Sequence, residues 1–412
     1  MKREAAVGVG AVLILVGAVS ANANGFRNPP PDSYGLSMDG GKIAGAAGAA
    51  AAYYNSANLV GIDGPGAELG LTIISSETEF TSPILGQHKT TTPEAYIPSL
   101  FACYPFADGK VVGGLAVVSP YGQSTEWAKA SMLPYFSELI VIDVAPSVAF
   151  GISDRLRVGV GMDIYISQLD LRQVMPWDQF PGPRTGQVGS FRASGDGTAV
   201  GGNLALSFDL TPRQRLAVTY RSQFDVDYEG DAEIGGIPPT LAMLPASSDF
   251  DSKIRFPNTV VVGYGIQATD RLYLGADVEW LDFSRFDELP LDLGAIGQLG
   301  IFPRALPQDW EDVWTVGMAA AWNVTDAVVL RGSYKYLETP IPDATLAPTL
   351  PDTDKHVLGI GAAWSGKVQT VAVGYAYTIF DDRTVSGAAN PLYDGSYDLS
   401  SHIASVSYAC HF

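Results

Sequence analysis

An all-β transmembrane fold is what this sequence predicts: a fourteen-stranded antiparallel outer-membrane β-barrel with an N-terminal hatch inside its lumen. Three observations carry it. The chain is 47% hydrophobic and only 17% charged, with a mean hydropathy of +0.12, yet it holds no long apolar run beyond Val19. Apolar and polar residues alternate at period 2 through much of its length, the pattern of strands with one greasy and one polar face. Compact turns alternate with long segments rich in Pro, Gly and aromatics, which is the layout of short periplasmic turns and long extracellular loops. Only helices and closed barrels satisfy every backbone group inside lipid. A barrel therefore explains an apolar chain without apolar runs. A soluble β-sandwich would also alternate, but it leaves the loop asymmetry unexplained.

The elements follow in order. Lys2 and Arg3 precede the apolar stretch Ala5 to Val19, and Ser20-Ala21-Asn22-Ala23 supplies a small-residue cleavage site. This is the pattern of a secretory signal peptide, with cleavage expected after Ala23. The layout is then 1–23 signal peptide, 24–65 hatch and 66–412 barrel. Loss of Lys2, Arg3 and Glu4 takes the net charge from −19 to −20. The hatch region does not alternate. Its Ala/Gly run from Ile43 to Tyr54 suits a thin helix that packs closely. It reads as a plug, the alternative being a disordered periplasmic tail.

Strands are expected at 66–76, 94–105, 110–120, 137–150, 155–170, 196–209, 214–229, 253–267, 271–283, 311–323, 326–338, 354–364, 367–381 and 397–412. In 271–283, Leu272, Leu274, Ala276, Val278 and Trp280 share one face, and Tyr273, Gly275, Asp277 and Glu279 the other. In 214–229, Leu216, Val218, Tyr220, Phe224, Val226 and Tyr228 oppose Thr219, Arg221, Gln223, Asp225 and Asp227. Near the end, Val406, Tyr408 and Cys410 alternate behind Phe412. A terminal aromatic on the lipid face resembles the sorting signal of bacterial outer-membrane proteins. Tyr and Trp suit the interfacial girdles of such a barrel.

Composition also bounds function. With Lys+Arg 25 against Asp+Glu 44, the chain lacks the basic footprint of a nucleic-acid binder. Two cysteines, Cys103 and Cys410, are too few for a disulfide scaffold, and a single bridge stays open. The four histidines show no metal spacing, and no Gly-x-Ser-x-Gly elbow occurs. No catalytic residue, cofactor or metal is expected. A barrel lipase and a diffusion porin are the readings from other classes.

Several segments resemble one family, the FadL-type outer-membrane transporters with their TodX branch. Trp280 to Leu289 reads Trp-Leu-Asp-Phe-Ser-Arg-Phe-Asp-Glu-Leu, and Gln308 to Asp312 reads Gln-Asp-Trp-Glu-Asp. Leu330-Arg-Gly-Ser-Tyr-Lys-Tyr336 is followed by Thr339-Pro-Ile-Pro-Asp343 and Pro351-Asp-Thr-Asp354. Thr219-Tyr-Arg-Ser222 adds a fourth block. Asn55, Ser56, Ala57, Asn58 and Leu59 sit where the family has an Asn-Pro-Ala-x-Leu hatch motif, with Ser56 in place of proline.

The resemblance implies passive uptake of hydrophobic molecules, long-chain fatty acids first and neutral monoaromatic or aliphatic hydrocarbons as the alternative. Ligand would be caught between extracellular loops, pass inward, and leave sideways at a kink in the third strand. The chain would act as a monomer among outer-membrane lipid and lipopolysaccharide. The loop groove falls on Trp177, Phe180, Ile237, Leu241, Met243 and Leu244, with Met175 and Ile234 beside them. Exposed apolar clusters of this kind usually mark binding surfaces. The kink falls on Ser119, Pro120, Tyr121 and Gly122, where proline removes a ladder donor. Arg221, Arg331 and Lys335 face the lumen. They read as partners for a fatty-acid carboxylate or, alternatively, as members of internal ion pairs. N-terminal sequencing of the outer-membrane form is expected to start at Asn24; a start at Met1 would reject the signal peptide.

Overall fold

The computed structural model describes residues 25–129, 134–177 and 188–412. The expected signal peptide and Phe180 lie outside the described residues. Eighteen strand pieces form one antiparallel sheet. Two pieces, Gly86–Lys89 and Arg383–Val385, are short loop strands, and two wall strands are each interrupted once, which leaves fourteen. They are β1 (Gly66–Ser82), β2 (Ala95–Phe106), β3 (Val111–Glu126), β4 (Phe136–Gly151), β5 (Leu156–Pro176), β6 (Val188–Thr211) and β7 (Gln214–Arg221 with Phe224–Gly235). There follow β8 (Ser247–Phe256 with Thr259–Gln267), β9 (Leu272–Leu281), β10 (Val313–Asn323), β11 (Val328–Leu337), β12 (Lys355–Ser365), β13 (Gln369–Phe380) and β14 (Gly395–His411). The wall closes where β1 pairs with β14, from Gly66 opposite His411 to Thr81 opposite Ser396. Among the described residues, no helix is long and apolar enough to cross a membrane.

Alternation places the lipid face as expected on most strands. Leu274 and Val278 are exposed outward, while Asp277 and Glu279 are buried inward. Exposed Trp322, Trp364 and Tyr408 sit near the short turns, and Trp314, Tyr334 and Tyr377 near the long-loop ends. These are the two girdles. Cys103 faces the lumen and Cys410 the outside, on strands that flank β1, and both are free.

Two expectations need correction. The wall strands run further outward than the sequence suggested: β5 reaches Pro176, and β6 starts at Val188. Much of the presumed third loop is thus ladder. The second correction is a change of face. Leu216 and Val218 point to lipid, but Phe224, Val226 and Tyr228 are buried inside, while Asp227 and Glu229 stand exposed. The same inversion crosses β8, where Phe250, Ile254 and Phe256 point in. Both breaks lie at one level, at Ser222-Gln223 and Pro257-Asn258. Pro257 has no N–H for the ladder. The Asn258 side chain replaces the lost rungs: its Oδ1 accepts from the Gln223 N–H at 3.1 Å and from the Tyr220 hydroxyl at 2.8 Å. Above this level the outside is water, so the carboxylates turn out and the rings turn in.

The N-terminal segment 25–64 packs against inward-facing wall residues. Only Ser33–Ser37 and Ala51–Tyr54 are α-helical, followed by a 3₁₀ turn at Ser56–Leu59. The expected helix over Ile43 to Tyr54 is confined to its last turn, because Gly45 and Gly48 interrupt it and Gly48 adopts φ +65°. Inward glycines let the segment's backbone lie directly on the wall. The N–H of Asp277 donates to the Gly40 carbonyl at 2.7 Å. A Cβ on Gly317 would stand 2.6 Å from the Gly40 Cα and 2.7 Å from the Tyr334 oxygen. Replacing Gly317 by Val is expected to leave a heat-modifiable barrel but to weaken segment docking by about 1–3 kcal/mol, as overpacking does. Faster proteolysis within 25–64 and a lower melting temperature would check it.

Candidate functional site

The ladder between β2 and β3 stops short. β2 pairs with β3 only from Leu100 opposite Val117 to Phe106 opposite Val111. Beyond Val117, β3 keeps its partner β4 but loses β2. The β3–β4 register shifts between Val118 and Tyr121, which places Ser119 and Pro120 in a bulge. Pro120 therefore does not end the strand; it kinks a strand that runs on to Glu126. The gap closes again above, where the Thr91 N–H donates to the Glu126 carbonyl at 2.7 Å.

The N-terminal segment fills the missing rungs from inside. The Gly122 N–H donates to the Phe26 carbonyl at 2.7 Å, and the Asn28 N–H donates to the Pro120 carbonyl at 2.9 Å. The Asn28 amide also donates to the Ser119 carbonyl at 3.0 Å. Seating these three residues brings the Phe26 ring into a cage. Its neighbours are Trp310 at 4.8 Å, Phe256 at 5.1 Å, Phe283 at 5.6 Å, Phe286 at 5.7 Å and Tyr121 at 6.0 Å, centroid to centroid. A stack continues outward from Phe256 to Phe224 at 4.4 Å and to Tyr165 at 3.5 Å. The rings turned inward by the change of face thus form an aromatic roof next to the gap.

Below the roof the chemistry changes. A cavity of about 110 Å³ lies between segment and wall, lined by Arg27, Lys42, Tyr53, Arg221, Asp277 and Lys335 among others. Arg27 pairs with Glu279 at 2.6 Å. Lys335 reaches Glu279 at 3.1 Å and Asp39 at 3.4 Å, and Lys42 also pairs with Asp39. Burial alone would raise the Asp39 carboxyl, but Lys335 and Lys42 outweigh it and hold it below the usual carboxylate range. Arg221 pairs with Asp143 at 3.0 Å and with Asp163, and stacks on the Tyr53 ring at 4.6 Å. Arg331 lies over the Tyr34 ring at 5.2 Å. The three expected lumen cations do face inward. Two of them are already matched by acids of the wall and the segment.

The hatch motif is a single 3₁₀ turn tied to β6 and β7. Asn55 donates to the Ser207 hydroxyl at 2.9 Å, and Asn58 accepts from Ser207 at 2.7 Å and from Arg215 at 3.2 Å. At the outer mouth, Met175, Trp177 and Ile234 are buried among apolar neighbours, with Ile237, Leu241 and Leu244 packed against them. Met243 is fully exposed at the tip. His356 and His402 sit on the outer face, hydrogen-bonded to Tyr334 and Tyr375 at 2.8 and 2.7 Å.

This architecture has counterparts. Residues 14–412 match the family described as outer membrane protein transport protein (OMPP1/FadL/TodX). The chain belongs to the FadL/TodX family. A putative outer membrane protein of Neisseria meningitidis serogroup B is 25% identical over 90% of each chain. The long-chain fatty acid transport protein of Escherichia coli O6:H1 is 22% identical, over 78% of this chain and 79% of its own. Among solved structures, a FadL homologue of Pseudomonas aeruginosa superposes with a TM-score of 0.82 at 20% identity, covering 94% of this chain and 100% of its own. The toluene transporter TodX of P. putida gives 0.71 at 19%, covering 93% and 99%. Membership places this chain in the outer membrane as a FadL/TodX transporter of hydrophobic compounds.

Sequence reasoning placed a kink at Ser119 to Gly122, where the structure has a bulge at Ser119 and Pro120; it missed the cage. Its rings come from the motif segments Trp280–Leu289 and Gln308–Asp312, where Phe283, Phe286 and Trp310 were read as family markers only. Phe26 stands alone in a Gly/Asn/Pro-rich stretch, and nothing local announces its partners. Replacing Lys335 by Met leaves Glu279 and Asp39 short of a cation and is expected to cost about 3–5 kcal/mol, the usual effect of breaking a buried ion pair from one side. Denaturant unfolding of the refolded barrel measures it.

Proposed function

We propose that this FadL/TodX transporter admits uncharged, hydrophobic molecules by passive diffusion and releases them sideways into the membrane through the gap between β2 and β3. One observation carries the reading: an apolar path leads to the gap, and a charged one leads away from it. Ligand gathered at Leu241, Met243 and Leu244 meets the aromatic roof, whose Phe26 and Tyr121 border the gap. The alternative route, down past segment 25–64, crosses the Arg27–Glu279–Lys335–Asp39 network. An apolar ligand there would strip water from ions, at several kcal/mol per ion. Lipid beyond the gap imposes no such cost.

In this reading the segment is a plug, and its first described residues are the latch. Displacing Phe26 would break the substitute rungs at Gly122 and Pro120 and open the gap in one motion. The matched cations favour an uncharged ligand over a fatty-acid anion. Arg331, bound to no acid among the described residues at ion-pair distance, keeps the fatty-acid reading as the second candidate. The transporter acts as a monomer surrounded by outer-membrane lipid and lipopolysaccharide, and it needs no cofactor or catalytic group.

Deleting Pro120 alone, which leaves Ser119 opposite Ile142, would restore an unbroken register with β4. The expected variant is folded by heat-modifiability and strongly impaired in uptake of a neutral hydrocarbon into cells. Normal uptake by that variant would reject lateral release. Replacing Leu241 and Met243 by Ser removes apolar contacts worth up to about 1.5–3 kcal/mol per side chain. Uptake at low ligand concentration should fall several-fold while the barrel's melting temperature stays within the wild-type range.

A further inference from the structure

One polar atom in the roof has no role in holding it together. Trp310 is 3% exposed, and its indole Nε1–H has no hydrogen-bond partner among the described residues. The ring lies against Phe26, Phe283 and Phe286, at centroid distances of 4.8, 5.3 and 5.0 Å. A Cβ on Gly25 would touch its six-membered ring, 2.6 Å from Cη2, so the arm presses on the side away from the pyrrole nitrogen. Buried tryptophans ordinarily find a partner for this N–H, and leaving a donor unmatched is costly. Another buried tryptophan does find one: the Trp127 Nε1–H reaches the Pro348 carbonyl at 2.9 Å. In a cage made mostly of carbon, an unmatched donor beside the ring it holds is a feature of recognition.

Phe26 shows what the cage takes. Five aromatic side chains surround a single six-membered ring, and that ring belongs to the N-terminal segment, outside the wall. We infer that the ligand which replaces Phe26 is a monocyclic aromatic carrying one hydrogen-bond acceptor, such as a carbonyl oxygen, which the Trp310 Nε1–H receives. This rests on the reading that an uncharged ligand passes the roof, and it narrows that ligand's chemical class. A plain hydrocarbon would fit the cage but leave the donor unmatched. A straight-chain carboxylate would not fit the ring-shaped space.

The test compares acetophenone with α-methylstyrene, which has the same shape with CH₂ in place of oxygen. Binding of each to the purified barrel in detergent is measured for wild type and for Trp310→Phe. Because the two compounds differ in hydrophobicity, the quantity read is the change in their affinity ratio between the two proteins. A net neutral hydrogen bond predicts that the ratio shifts against acetophenone by about 3–10-fold in W310F. A second measurement needs no variant: with ¹⁵N-labelled tryptophan, one of the seven indole N–H resonances should move downfield with acetophenone and not with α-methylstyrene. An unchanged ratio, or indole shifts that are the same for both compounds, overturns the acceptor inference while leaving hydrophobic uptake intact. Failure of both compounds to bind overturns it together with the roof as a ligand path.

Discussion

The constraint on which the rest depends is that a peptide group facing hydrocarbon must find a partner within the protein. Most of the strand-to-strand seams meet it with ladders along much of their length, and β1 pairs with β14 without a break. The seam between β2 and β3 does not. Its upper part lacks rungs, and the chain supplies them from Phe26 and Asn28, residues outside the wall altogether. From this follow the position of the N-terminal segment, the seating of the Phe26 ring and the coupling of that ring to an opening in the wall. The kink by itself would leave stranded carbonyls and amides beside lipid. The segment by itself would have nothing to hold its leading residues in extended form.

The second organising feature is the change of face in β7 and β8. A barrel strand that kept its phase would carry Phe224, Tyr228 and Phe256 on the outside, above the membrane, where they would face water. Inverting the phase at Asn258 turns these rings into the mouth and releases the carboxylates to solvent. The acidity of the chain is therefore not spread evenly. Part of it lies in buried pairs with Arg27, Lys335 and Arg221, and part stands on the outer faces of β7 and β8. Between the two lies a roof built almost entirely of carbon.

Much of the wall was legible in the sequence because period 2 is imposed by lipid on one side and packing on the other. Leu272 to Trp280 is readable residue by residue for that reason. The pattern misleads where the outside changes from lipid to water, since Phe224 to Tyr228 alternates just as cleanly with the opposite meaning. Pro257-Asn258 was the available signal, a pair that no uninterrupted central strand would carry. Pro120 was legible as an irregularity in the ladder, because its missing N–H has a local consequence. The cage was not legible, for it joins Phe26, Tyr121, Phe256, Phe283 and Trp310 across most of the chain. The lumen cations were placed on the correct face, but their acids come from strands and a segment far apart in sequence. Alternation fixes which side a residue faces only where the outside is lipid, and it says nothing about whom the residue meets there.

The seam between β1 and β14 has a bearing on how the molecule can be made. Segment 25–64 leads directly into Gly66, the first residue of that seam, and its far end must reach β3 on the inner side. Its Gly40 backbone lies flush on β9 and β10, under a roof of interlocked rings. With β14 zipped onto β1, the roof leaves a segment of this length no way past, so residues 25–64 must be in place before that seam closes. The wall closes around a segment already inside it.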